Sequence, residues 1–202
     1  MNSYEKWSLF INSLIALGLF GVIIVTLFND WIRKKIFPGR LTVEVLDKNG
    51  ELTTLDNGHK VVYYHLRIIN KRLVIVHKCR VFLKRIQKRN GSGLFEDIPL
   101  SVPPSYIWTP AETSPEGVDI VLEKIIDFGY IMDNGKEFKP TVTPILNSFK
   151  GNLSKNETFR YFLETVAENY HPRKLIGIEV SWDGEWPTEL QDMHNHLIIK
   201  TV

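Results

Sequence analysis

A basic stretch without carboxylates contains the residues of this sequence that are best suited to bind a ligand. No Asp or Glu occurs between Asn57 and Phe95, whereas Lys and Arg recur throughout that stretch. Because side chains on a β-strand alternate between two faces, part of the stretch predicts an outward row of cations. The members of this row are Lys78, Arg80, Lys84 and Lys88. Such a row binds an anionic partner, a phosphate-bearing ligand, nucleic acid or lipid headgroups, or only keeps a sheet face solvated.

The overall charge balance narrows these options. The net charge is only +2 and Phe82 is the one outward aromatic expected on this strand, which argues against nucleic acid as the partner. The last third of the chain is acidic, with carboxylates at Glu157, Glu164, Glu168, Glu179, Asp183, Glu185, Glu189 and Asp192. Complementary basic and acidic surfaces predict a homo-oligomer assembled head to tail or as a ring, unless the two surfaces are neighbours within one monomer.

Two histidines near the carboxyl end have the spacing of a pair of metal ligands. On a strand, His194 and His196 would point to one side, with Asp192 two residues earlier on that same side. No third ligand follows at a confirming distance along the chain. We therefore predict polar residues at a sheet edge and no metal site.

Paired acids beside aromatic rings raise the question of an active site. Asp183 and Glu185 lie between Trp182 and Trp186, and such residue types hydrolyse glycosides. The same pattern fits a turn after a strand, with Trp182 in the core and Trp186 capping it. The sequence contains no G-x-S-x-G, Walker loop, G-x-G-x-x-G or H-E-x-x-H motif. We predict no enzymatic activity and no cofactor.

Strands are the elements that must position these residues. Beyond Arg40, short runs rich in Val, Ile, Tyr, Phe and Thr are separated by Gly, Pro, Asn and Asp clusters. The predicted strands are Leu41–Leu46, Val61–Asn70, Val74–Gln87, Val118–Leu122, Thr141–Leu146, Thr158–Glu168, Leu175–Trp182 and Leu197–Thr201. The proline-rich segment from Ile98 to Gly117 predicts an ordered loop, with Trp108 as a plug. About eight strands favour an all-β domain, a two-sheet sandwich that resembles the immunoglobulin-like architecture without its Cys-Trp-Cys signature.

Alternation within these strands predicts which residues form the core. In the sixth strand, one face carries Phe159, Tyr161, Leu163, Thr165 and Ala167, and the other carries charged side chains. The only cysteine, Cys79, lies in a hydrophobic stretch without a partner. A single buried thiol fits a reducing compartment better than a disulfide-bonded domain.

An apolar segment at the amino terminus predicts one membrane-spanning helix. The run from Ser8 to Phe28 contains no charged residue and, as a helix, matches the thickness of a bilayer's hydrocarbon core. Trp7 and Trp31 flank the run, where aromatic side chains prefer the membrane interface. A cleaved signal peptide would need a shorter apolar core and small residues at a cleavage site.

Charges around this segment predict its orientation. Four bases follow the span, whereas only Lys6 and the amino terminus precede it. These four bases are Arg33, Lys34, Lys35 and Arg40. The positive-inside rule then places the amino terminus outside the inner (plasma) membrane and the rest in the cytosol. The expected organisation is an anchor over residues 1–30, a basic juxtamembrane linker over 31–40 and a cytosolic β-sandwich over 41–202.

This layout predicts a membrane-bound binding protein of one of two kinds. In the first, a cytosolic protein or small anionic ligand binds the β-sandwich, gathers the helices and perturbs the bilayer, an arrangement that resembles small bacterial antiphage effectors. In the second, the helix passively tethers an interaction module. Small and polar residues in lipid favour helix association, and those of this span are Asn12, Ala16, Gly18 and Gly21.

Overall fold

The structure is a computed structural model that describes residues 2–36, 40–72, 74–110, 117–145, 147–170, 172 and 174–202. The chain divides into two units, residues 1–38 and 39–202. The side chains of residues 27–36 lie outside the described part. The bases at 33–35, on which the predicted orientation rests, are among them.

The first unit is one long helix, α1, Ser3–Ile36. At its start the Glu5 carboxylate accepts a hydrogen bond of 2.8 Å from the Asn2 backbone nitrogen, which satisfies a donor that a helix leaves free. The segment Tyr4–Thr26 has a mean hydropathy of 2.4 and exposes its side chains. The helix is therefore long and apolar enough to cross a membrane. Helical structure also continues through residues 31–36, the first part of the predicted linker.

The second unit is an all-β domain, which confirms that part of the predicted fold class. Its strands are β1 Leu41–Val45, β2 Glu51–Thr54, β3 Lys60–Asn70, β4 Val76–Arg89, β5 Phe95–Ile98, β6 Ser105–Thr109, β7 Val118–Ile120, β8 Glu123–Met132, β9 Glu137–Pro140, β10 Val142–Thr143, β11 Leu153–Ser154, β12 Glu157–Val166, β13 Ile176–Trp182 and β14 Leu197–Thr201. A 3₁₀ turn, Leu190–Asp192, and a one-turn helix, α2 Met193–His196, precede β14.

Antiparallel pairing joins these strands into one nearly barrel-like sheet. The path of hydrogen-bonded neighbours runs β1-β3-β8-β6-β4-β12-β13-β14. Strand β3 pairs with both β1 and β2 along one edge, because a turn at Gly50 (φ 73°) lets the chain rejoin that edge. The immunoglobulin-like arrangement of two sheets stays a prediction.

Aromatic side chains from several strands fill the core. The Phe128 ring lies 5.8 Å from Tyr106, 5.8 Å from Phe138 and 5.7 Å from Tyr161, measured between ring centroids. The predicted inward face of β12 is confirmed, since its five apolar or small residues are buried. Cys79 is buried as well, and burial raises the pKa of its thiol to about 12.

Several regions differ from the sequence-based prediction, and the sequence pattern predicts none of the short strands β2, β5, β9 and β11. The segment expected to be a loop contains β6, in which Trp108 is buried as a strand residue. The sequence pattern does not predict the long strand β8, because charged residues and Gly129 interrupt its apolar pattern. The strand expected from Thr141 to Leu146 shortens to β10, and Leu146 lies outside the described residues.

Candidate functional site

Strand β12 lies directly beside the predicted cationic row on β4, and carboxylates of β12 and of Glu168, just beyond its end, pair with that row. The pairs are Lys78 with Glu168 (Nζ to Oε1, 2.8 Å), Lys84 with Glu164 (Nζ to Oε2, 3.1 Å) and Lys88 with Glu157. About eighty residues separate the two strands in sequence, so the basic and acidic segments looked independent. At these three positions the basic and acidic surfaces are therefore neighbours within one monomer, which is the alternative to pairing between two copies of the chain. Binding by the row stays a prediction.

A bulge in β4 divides the predicted row between two faces of the sheet. Phe162 of β12 pairs with Arg85 and the next residue pairs with Leu83, so Lys84 has no cross-strand partner in the register. Beyond this bulge the alternation is reversed. Lys88 therefore stands opposite the buried Phe159, with its Nζ 5.7 Å from that ring's centroid. It does not share the face expected from simple alternation.

Arginine side chains cover the aromatic rings on the outer face of β4, β5 and β12. We call this surface the arginine face, and its distances run from guanidinium Cζ to ring centroid. The contacts are Arg80 over Phe82 at 4.8 Å, Arg85 over Phe162 at 5.2 Å, Arg89 over Phe95 at 5.0 Å and Arg160 over Phe95 at 3.7 Å. Cation–π stacking of this kind holds planar cations in fixed orientations. Sequence reasoning identified Arg80 but missed the other three, since their shared face depends on the bulge and on β5.

Two of these arginines are neutralised and two are not. Arg85 donates to Asp97 over 2.7 Å, and this hydrogen bond lowers the pKa of Asp97. Arg160 donates to the buried Glu179. Within the described part of the chain, Arg80 and Arg89 have no carboxylate partner. The arginine face therefore presents two guanidinium groups that can pair with acids of another molecule.

His65 forms a separate cluster with acidic groups at β3. Its Nδ1 is 3.0 Å from Oδ1 of Asp127 and its Nε2 is 3.4 Å from Oε2 of Glu51, and its side chain is only 12% exposed. Asp127 raises the pKa of His65 most, burial opposes the shift, and Glu51 adds to it. Burial alone would raise the pKa of Asp127, but His65 and the Thr109 hydroxyl lower it. Since carboxylates face both ring nitrogens, the geometry stabilises an imidazolium rather than a general base.

The histidines and tryptophans near the carboxyl end occupy separate environments. His194 and His196 lie in α2 rather than on a strand, and their Nδ1 atoms contact Asn49 (2.8 Å) and Asp183 (2.8 Å) respectively. Across the described residues, no group of three or more His, Cys, Asp or Glu is arranged to hold a metal. As predicted, Trp182 is buried and Trp186 packs against the core.

The helix residues singled out for association are all exposed. Asn12 and Ala16 are four residues apart and so lie on one face of α1. At Gly18 and Gly21, an added Cβ would meet nothing within 4 Å. The helix therefore presents small residues to its surroundings, and association through them stays a prediction.

Two small depressions lie among the described residues of the β domain. One depression is lined by residues that include Leu52, Lys60 and Trp186. Another is lined by Leu100, Pro104 and other residues of that loop. Neither depression is lined by an arginine of the arginine face. The chain matches no protein-family model and no curated protein sequence.

Proposed function

We propose that this chain is a single-pass membrane protein whose β domain recruits an acidic partner protein and thereby gathers its helices. The amino terminus lies outside the inner membrane and the β domain, an immunoglobulin-like sandwich, lies in the cytosol. Support comes from the apolar span Tyr4–Thr26 and from the four bases that follow it. The clustered helices then perturb the bilayer, as they would in an antiphage effector.

The arginine face is the observation that carries this proposal. Arg and aromatic residues are enriched at the centres of protein interfaces, where they supply much of the binding energy. Small ligands, by contrast, bind in concave pockets, and the depressions described above lie elsewhere. A protein with surface carboxylates therefore fits this face better than a small anionic ligand.

A passive tether is the second candidate function. Three of the four predicted binding residues are paired with carboxylates of the same chain. Internal pairing of this kind is what a solvated, non-binding face would show. Under this alternative the helix localises the domain and clustering has no output.

Site-specific photo-crosslinking in cells tests partner recruitment. A photoreactive amino acid at Gln87, which lies opposite Arg160 on the arginine face, should give a discrete crosslinked product. Reversing Arg80 and Arg89 to Glu should abolish that product, because both unpaired guanidinium groups would then repel acids. A matched double reversal at the exposed Lys136 and Lys139 should leave it unchanged. An undiminished product after the first reversal would contradict the proposal.

Thiol labelling in intact cells tests the proposed orientation. A cysteine at Ser3 should react with a membrane-impermeant reagent, whereas a cysteine at the exposed Asn57 should react only after lysis. Native Cys79 can be retained, because it is buried. Labelling of Asn57 in intact cells together with protection at Ser3 would reverse the topology.

A further inference from the structure

One end of the β domain contains Arg40, the first described residue after α1. Lys71 donates its backbone N–H to the carbonyl of Arg40 over 2.8 Å, and Asn70 donates its own to the carbonyl of Leu122 over 2.8 Å. The start of β1, the end of β3 and the β7–β8 connection therefore meet there. We call this region the tethered end.

A buried amide holds the loops of the tethered end together. The Asn70 side-chain nitrogen lies 2.8 Å from the carbonyl of Val74, 3.3 Å from that of Ile120 and 3.2 Å from that of Val121. The β12–β13 connection joins them, since the Asn169 amide donates to the Ile75 carbonyl over 2.7 Å. These contacts restrain the loop backbones and present their side chains outward.

The outward side chains of the tethered end are mainly apolar and basic, beside the half-exposed carboxylates Glu123 and Asp119. Leu122 is 71% exposed and Val121 is 58% exposed. Ile75 is also exposed, as are Lys174 and Leu175 in the β12–β13 connection, and the exposed bases around the Asn70 cluster are Arg40, Lys71 and Arg72. Glu44 pairs with Lys71 at 3.5 Å, but both groups are about half exposed. Such a pair is weak and does not remove the positive character of this surface.

The opposite end of the domain has a different composition. The turns at residues 56–58, 90–93 and 133–135 consist of Asp, Asn, Gly and Ser. Strand β4 ends at Arg89 before the second of these turns, and β5 begins at Phe95 after it. At about 3.3 Å per residue, the length of β4 separates this turn from Ile75 by roughly 45 Å. Leu94, beside that turn, is an exposed apolar residue of this end, whereas the tethered end combines Leu122, Val121 and Ile75 with several exposed bases.

We propose that the tethered end docks on the anionic surface of the bilayer that the chain's own helix crosses. Leu122 and Val121 enter the headgroup layer while the bases contact lipid phosphates, the combination by which peripheral segments bind membranes. We choose the bilayer as the binding surface because the chain connects the two directly: only residues 37–39 separate Ile36 of α1 from Arg40. This inference rests on the proposed membrane anchoring and adds a second, reversible contact to it.

Spin-label accessibility in vesicles tests the docking. The full-length chain carries a nitroxide at Leu122→Cys or, as control, at Leu94→Cys, which is 68% exposed at the far end of β4. In phosphatidylcholine vesicles containing phosphatidylglycerol, the label at 122 should collide more with oxygen than with a water-soluble nickel chelate. The label at 94 should show the reverse. Removing phosphatidylglycerol should move the label at 122 toward the values seen at 94.

Charge reversals connect this readout to the proposed surface. Lys71→Glu with Arg72→Glu should lower the ratio of docked to undocked domain by about fivefold for each base removed. The matched pair Lys136→Glu and Lys139→Glu should leave the label at 122 in lipid. If the label at 122 is as water-accessible as that at 94 while the chain resists alkaline extraction, the docking is overturned and the anchor stands. If alkaline carbonate extracts the chain, both the anchor and the docking fail.

Discussion

The Nε atom of Arg160 donates a hydrogen bond of 2.7 Å to Oε2 of Glu179, its cross-strand neighbour on β13. Lys200 approaches Oε1 of the same carboxylate at 2.9 Å from β14. The guanidinium of Arg160 also lies 3.7 Å from the centroid of Phe95 on β5. A nearly inaccessible carboxylate therefore orients one of the stacked cations of the arginine face.

Replacing Glu179 with Gln should destabilise the β domain by roughly 1 to 3 kcal/mol, because two cations lose a buried acceptor charge. Burial alone would raise the pKa of Glu179, but Lys200 and Arg160 lower it. The stabilisation is therefore present above the ordinary glutamate pKa of about 4.3 and lost as the pH falls through the lowered value. Urea unfolding of the detergent-solubilised chain, followed by tryptophan fluorescence, measures the change. Glu185→Gln, in an exposed pair with Lys155, should have little effect.

A charge swap should show whether Lys84 and Glu164 interact in solution. Lys84→Glu places two carboxylates side by side and should lower the free energy of unfolding by roughly 0.2 to 1 kcal/mol. Adding Glu164→Lys should restore most of that loss, since the pair is re-formed in reverse. Urea unfolding of the two single variants and the double variant gives the coupling energy. A coupling energy of zero would mean that the 3.1 Å contact contributes nothing.

Stability should depend on pH through His65. Because its pKa is raised in the folded chain, the stabilisation by Asp127 and Glu51 is fully present below the ordinary histidine value of about 6.5. It is lost as the pH rises through the raised value. The melting temperature of the wild-type chain should therefore fall more between mildly acidic and alkaline pH than that of His65→Gln. Parallel melting curves for the two proteins would exclude this ion-pair cluster as the cause.

The helix should associate through its small and polar residues. In lipid, an amide that bonds across helices contributes roughly 0.6 to 2 kcal/mol, and small residues allow close approach. The combined variant Asn12→Leu, Gly18→Ile and Gly21→Ile should shift detergent-solubilised chain toward monomer and remove any growth defect caused by overexpression. Ser13→Leu, which replaces a hydroxyl already bonded to the Leu9 carbonyl, is the control. Unchanged oligomer and toxicity in the triple variant would favour the passive tether.

Local pattern alone determined much of this protein. Period-two alternation identified the buried face of β12 and the burial of Cys79, because burial on one side of a strand imposes that period. The absence of charge from Ser8 to Phe28 identified the long helix, since each charge in lipid is costly. Both properties are short-range, because they depend only on residues that are neighbours in sequence.

Tertiary structure decided which charged residues meet. The bulge opposite Phe162 reversed the alternation of β4 and moved Lys88 to the other face. Carboxylates of β12 and of Glu168, just beyond it, pair with three predicted binding residues. Bulges and strand order depend on contacts between residues far apart in sequence, so no local pattern encodes them. The arginine face and the tethered end likewise exist only because distant segments converge, each placed by the packing of the whole domain.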